Sequence, residues 1–170
     1  MALNTAPIIA ADGTINVEDG AALVYTASYE EGDGAVSGMK HDDMSTEIFY
    51  DRSDIFAVRK IKQEPVSVSF SVILTEVSDG TEMTFMDAML KYNAWSGATS
   101  VLAAAGDAWA LKLTITLDSS AAGAGGEAGQ TIVINHFIPE DVSFSEGTPG
   151  KVSVSGMGIP LGATPAYVLT

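Results

Sequence analysis

Pro65-Val66-Ser67-Val68-Ser69-Phe70-Ser71-Val72-Ile73-Leu74-Thr75-Glu76-Val77 is the stretch on which the fold turns. Its even positions Val66, Val68, Phe70, Val72 and Leu74 are apolar. Its odd positions Ser67, Ser69, Ser71 and Thr75 carry hydroxyls, with Ile73 the exception. Side chains on a strand alternate between faces, so a period of two over this length predicts one buried face and one wet face. The same period returns to either side. Leu23, Tyr25, Ala27 and Tyr29 alternate with Val24, Thr26 and Ser28; Trp109, Leu111, Leu113, Ile115 and Leu117 alternate with Ala110, Lys112, Thr114 and Thr116. Two short strands, 46–50 and 55–61, flank the polar turn Asp51-Arg52-Ser53-Asp54. Residues 131–138 are apolar and β-branched, which predicts a strand buried on both faces. Beyond them, Val142, Phe144, Val152 and Val154 are expected to point inward across a hairpin closed by Gly147-Thr148-Pro149-Gly150. Ser143, Ser145, Ser153 and Ser155 then point outward.

One helix is expected, over about 81–95. Asp79 or Thr81 can cap it, and Glu82 stands three residues after Asp79 as in a capping box. Phe85, Met86, Met89 and Leu90 make one apolar stripe, and Gly97 is the expected stop. Residues 1–20, with Asp12-Gly13 and Asp19-Gly20, read as an N-terminal arm, and 156–170, with Gly158, Pro160, Gly162 and Pro165, as a C-terminal arm. The acidic, Gly-rich 30–45 and the Ala- and Gly-rich 119–130 read as loops. The expectation is a single domain over 1–170, mainly β: a β-sandwich or half-open barrel with one flanking helix and extended arms.

Composition narrows the function classes. The 170 residues carry a formal charge of −14, yet 46% are hydrophobic, which separates the chain from disordered acidic sequences. There is no cysteine, so disulfides and thiolate metal sites are excluded. Eight Lys and Arg against 22 Asp and Glu argue against tight nucleic-acid binding, which rests on cations displacing counterions from phosphate. No apolar run approaches the ~20 residues of a membrane helix, and the first residues lack the basic-then-apolar pattern of a signal peptide, so no membrane insertion is expected.

Catalytic patterns are missing as well. His41 adjoins Asp42 and Asp43, but neighbours on a strand face opposite ways and form no oriented acid–base pair. His136, in an apolar strand, reads as a hydrogen-bonded wall residue. No serine has the two glycines of a nucleophile elbow. Gly150-Lys151 lacks the upstream glycine and following hydroxyl of a phosphate loop, and Gly156-Met157-Gly158 opens no helix. Glu30, Glu31 and Asp33 match no calcium-loop spacing. The expectation is a protein without enzyme activity, metal or cofactor.

The segment Asp51-Arg52-Ser53-Asp54-Ile55-Phe56-Ala57-Val58-Arg59-Lys60, followed by Glu64-Pro65 and the alternating strand, resembles the tail tube (major tail) proteins of long-tailed bacteriophages. Asp141-Val142-Ser143-Phe144-Ser145-Glu146-Gly147-Thr148-Pro149 is similar to the family's hairpin before its last strand. The order of elements matches over 22–155, and Ser53 departs from the glycine common at that turn. The resemblance implies a β-sandwich with a flanking helix that assembles into hexameric rings. These stack into a hollow tube in the virion tail, built in the bacterial cytoplasm, through which DNA passes without specific binding. It implies as partners further copies of the chain, a tape-measure protein, a tail tip or baseplate and a tail terminator. The inner tube of a contractile tail or bacteriocin and a secretion-system tube share that fold. A carbohydrate-binding or adhesin-like sandwich is a more distant alternative.

On this reading the hydroxyl faces of Ser67, Ser69, Ser71, Thr75, Ser143, Ser145, Ser153 and Ser155 are candidates to line the lumen. They would offer water-like contacts beside acidic charge that repels phosphate over roughly 8 Å at physiological salt. The arms and the loop after the first strand hold the candidate subunit contacts Ile8, Ile9, Glu31, Asp33, Met39, Asp42, Asp43, Leu161, Tyr167 and Leu169.

Overall fold

Burial along Val66–Ile73 follows the sequence period: Val66, Val68, Phe70 and Val72 are buried, Ser67 is exposed, and Ser69, Ser71 and Ile73 are half-buried. This is the sixth of ten strands in the structure, a computed structural model that describes residues 13–29, 40–41, 46–51, 54–60, 65–73, 84–117, 131–145, 150–162 and 164–169. In chain order the strands are β1 (Gly13–Glu18), β2 (Val24–Tyr29), β3 (Lys40–His41), β4 (Thr46–Asp51), β5 (Asp54–Lys60) and β6 (Val66–Ile73). After helix α1 (Phe85–Leu90) come β7 (Leu111–Leu117), β8 (Thr131–Ser145), β9 (Lys151–Gly158) and β10 (Val168–Leu169).

The fold is mainly β, with two antiparallel sheets, neither of them closed. The larger runs β2-β1-β7-β8-β9-β6-β3, with β10 added beside β8; the smaller is the β4–β5 hairpin alone. β8 is the spine. Its first residues pair with β7 and β10, and its second half pairs with β9. Two bulges bend it. Against β7, Leu111 and Leu113 face Phe137 and Ile134, so one extra residue lies between them on β8. Against β9, the register shifts again between Pro139 and Asp141. An extra residue bends a strand and increases its twist, and the first bulge brings Ile134 and Phe137 to the same core although they stand three apart. This corrects the expectation of a strand buried on both faces: in 131–138 only Ile134 and Phe137 are fully buried.

The bend curls the sheet, and β2 and β6 come within 8 Å without pairing. Phe85 of α1 sits at that gap. Its ring meets Tyr25 of β2 at 6.4 Å and Phe70 of β6 at 6.0 Å, and Phe70 in turn meets Phe137 at 5.8 Å. Ile15, Val17, Leu113, Ile115, Ile134, Val152 and Val154 complete the core around these rings.

Two sequence expectations about the termini are corrected here. Residues 13–18, read as part of an N-terminal arm, are a central strand paired with β2 and β7, with Ile15 and Val17 fully buried. The dipeptide Asp19-Gly20 is the turn into β2. Asp19 Oδ1 accepts from the backbone N–H of Ala21 and of Leu23 at 2.9 Å each, and Oδ2 accepts from Thr99 N–H at 3.1 Å. The C-terminal arm expected over 156–170 also folds onto its own domain. β9 continues to Gly158, Ala166 is buried, and β10 pairs Val168 with Val133. Glycine is required at 156 because a Cβ there would overlap the Ile138 carbonyl oxygen and crowd the Phe137 ring.

The helix is shorter than 81–95. Its N-cap is Thr84, whose hydroxyl accepts from Asp87 N–H at 3.2 Å and donates to the Asp87 carboxylate at 2.8 Å. Asp79, Thr81 and Glu82 lie outside the described residues. The helix stops well before Gly97, at Lys91, which takes the left-handed conformation (φ 58°), and a 3-10 turn follows at Asn93–Trp95. Of the expected stripe, Phe85 and Met89 are buried, Met86 half-buried and Leu90 exposed.

Candidate assembly surfaces

Topology collects the hydroxyl residues that the sequence places far apart. β9 lies between β8 and β6, and residues directly opposite on antiparallel strands share a face. One row is Asp141, Ser155 and Ser69; the next is Ser143, Ser153 and Ser71. Ser145 faces Lys151 at one end, and Ser67 faces Met157 at the other. Seven of the eight candidates therefore lie on the outer face of three adjacent strands, and five of them, Ser69, Ser71, Ser143, Ser153 and Ser155, line a shallow depression of about 170 Å³. Thr75 lies outside the described residues. The side chains are small and near solvent, and Ser143 Oγ donates to the Ser153 carbonyl at 3.5 Å. Along the described lengths of β6, β8 and β9, Lys151 is the single Lys or Arg. Chemically, the face is a broad array of neutral donors and acceptors bordered by one carboxylate, Asp141, and one ammonium, Lys151.

The β4–β5 hairpin has the opposite character. Tyr50, Val58 and Ile55 are 65%, 62% and 60% exposed, and Ile48 and Phe49 are 43% and 41% exposed. Ile48 stands opposite Val58, and a bulge between Phe49 and Tyr50 sets Tyr50 opposite Ile55. These four share one face, while Phe49 and half-buried Ala57 lie on the other. Among the described residues, each strand has only the other as its hydrogen-bonded neighbour. A two-stranded hairpin is marginal in water by itself, and clustered apolar side chains without cover mark a surface that meets something else. Sequence reasoning placed both strands, and the acidic residues interleaved with Arg52, Arg59, Lys60 and Lys62 mark a charge-balanced exposed strand, but the apolar side chains on it were not singled out. The runs Ile48-Phe49-Tyr50 and Ile55-Phe56-Ala57-Val58 look like buried strands, and only the charges interleaved around them hint otherwise.

Phe144, expected inward, is 51% exposed at the far end of β8, whereas Val152 and Val154 are buried and Val142 packs against the core. Among the expected subunit contacts, Leu161 is exposed, Tyr167 packs against its own core, and the Leu169 backbone pairs with Ile132. Ile8, Ile9, Glu31, Asp33, Met39, Asp42 and Asp43 lie outside the described residues. His41 is in β3 opposite Val66, on the sheet's outermost strand. His136 is hydrogen-bonded in the wall as expected: its Nδ1 lies 3.2 Å from the Ile159 carbonyl, and Ile159 N–H donates to the His136 carbonyl at 2.8 Å.

Among the described residues, no three His, Asp or Glu gather as metal ligands, and no helix is long and apolar enough to cross a membrane. No protein-family model matches the chain, and comparison with curated proteins and with solved structures returns no match.

Proposed function

We propose that the chain is a structural subunit that assembles with copies of itself into stacked hexameric rings. These form the tail tube of a long-tailed bacteriophage, the conduit for DNA on its way into the host. The observation that carries this reading is the β4–β5 hairpin, whose apolar residues stay exposed and find no cover among the described residues of their own protomer. Burial of apolar surface is the main favourable term in most protein association, at roughly 25 cal/mol per Å² removed from water, so such a hairpin favours a partner. The same segment, 51–60, carries much of the resemblance to tail tube proteins.

Two further observations support a conduit. The hydroxyl face across β8, β9 and β6 would make a wall that forms water-like contacts with a passing strand and has little cationic grip on phosphate. A charge of −14 per copy adds repulsion to it. On this reading the curled sheet with α1 across its gap is the tail-tube fold. The chain's other partners are a tape-measure protein, a tip or baseplate and a terminator, its place is the virion tail, and it has no catalytic role. Electron microscopy of the purified full chain over a rising concentration series tests the reading. Tubes with a central channel are the expected result. A chain that stays a lone protomer throughout contradicts it.

A further inference from the structure

Net charge and exposed apolar surface pull this chain in opposite directions. It carries −14 on 170 residues, with 22 Asp and Glu against eight Lys and Arg. Over 46–60 the hairpin holds three of each sign, Glu47, Asp51 and Asp54 against Arg52, Arg59 and Lys60, and is neutral. The net charge therefore belongs to the rest of the chain, while the apolar side chains that favour association stand on an element without any.

We propose that the chain's own charge is a brake on its self-assembly, and that ionic strength releases it. Copies stay apart in dilute salt and associate as small cations screen them. This rests on the self-assembly reading above and adds its regulation, whichever surfaces meet. A folded chain of this length has a radius of gyration of about 15 Å. Repulsion between two copies scales with the product of their charges, and ions screen it over about 10 Å at 0.1 M and about 3 Å at 1 M. At the lower salt the carboxylates across much of one copy act on its neighbour; at the higher, only those beside the contact do. Screening leaves apolar burial in place, so rising salt tips the balance towards association. A contact held by complementary charge responds with the opposite sign.

Sedimentation of the purified full chain in sodium chloride from about 0.1 M to about 1 M, at constant pH, tests this. The lowest protein concentration that yields polymer is expected to fall by about tenfold or more across that range. Asp107→Lys/Glu140→Lys exchanges two exposed carboxylates for ammonium groups, each exchange adding two charges, which takes −14 to −10. The product of two copies' charges is then about half, and so is the repulsion. The variant, checked for an unchanged thermal melt, should assemble at a lower concentration than wild type at about 0.1 M and show roughly half the logarithmic dependence on salt. Assembly of the wild-type chain that weakens with salt, or ignores it, overturns the brake while leaving self-assembly intact. An equal salt dependence in wild type and variant also overturns it, because salting-out of apolar surface does not depend on net charge. A wild-type chain that stays a protomer at every salt overturns the underlying reading instead.

Discussion

The curled sheet and the β4–β5 hairpin are built from the same kinds of residue and meet opposite fates. In the sheet, valine, isoleucine and phenylalanine reach full burial because strands pair on both sides and the curl closes a core over them. In the hairpin, the same residue types sit on two strands that, among the described residues, pair only with each other, and all five large apolar side chains described there stay at least 41% exposed. Local sequence makes a strand, and tertiary cover decides whether its apolar side chains contribute to the stability of one chain or wait for another. On the proposed reading, the hairpin's contribution is deferred to assembly.

The largest effect that would break this comparison comes from the core. Phe137→Ala removes a fully buried ring in contact with Phe70, with an expected loss of about 3–5 kcal/mol in denaturant unfolding. Tyr50→Ser on the hairpin should change the same measurement by less than about 0.5 kcal/mol, as exposed positions do. Equal losses at the two sites would erase the distinction.

Asp19 sharpens it next, because it ties the β1–β2 turn to the segment leading into β7. Burial pushes its carboxyl up, but backbone N–H groups of Ala21, Thr99, Leu23 and Ala22 outweigh that, and it titrates below its ordinary value. A lowered folded value gives stability that is full above the unfolded value of 3.8 and fades as pH falls through the folded one. Asp19→Asn keeps one acceptor and loses the other, so a loss of about 1–3 kcal/mol is expected at neutral pH. The difference from wild type should shrink in acid unfolding below pH 3.8. A gap that stays constant into strong acid would mean that the carboxylate charge has no part in it. A smaller loss than at Asp19 is expected at the helix that closes the curl: Thr84→Ala removes the N-cap and should cost about 1 kcal/mol in thermal unfolding, without altering assembly.

How far these regions were legible in the sequence follows from what each depends on. Strands β2, β6, β7 and β9 announce themselves by a period of two, because each has one buried and one wet face. β1 carries the same signal in only two residues, Ile15 and Val17, and the turn dipeptides at its ends hide it. Gly156 and Gly158 look like strand breakers but answer close approaches of backbone and side chains from β8. The helix cap was misplaced because Thr84-x-x-Asp87 competes with an upstream Asp79-x-x-Glu82 of the same form. The hydroxyl face was legible one strand at a time, but its continuity required the order β8-β9-β6, which no local pattern encodes. The hairpin's interleaved charges hinted at an exposed strand, but not that its apolar face would stay uncovered, since cover is supplied by elements distant in sequence.

Hydrogen exchange, followed residue by residue in dilute and in concentrated protein, addresses the contrast most directly. Amides of β4 and β5 should exchange far faster than those of β1 and β7 in the dilute protomer. They should become protected on assembly, while the central sheet changes little. Hairpin amides that stay equally fast in an assembled sample, or that are already as slow as the core in dilute protein, would contradict the account.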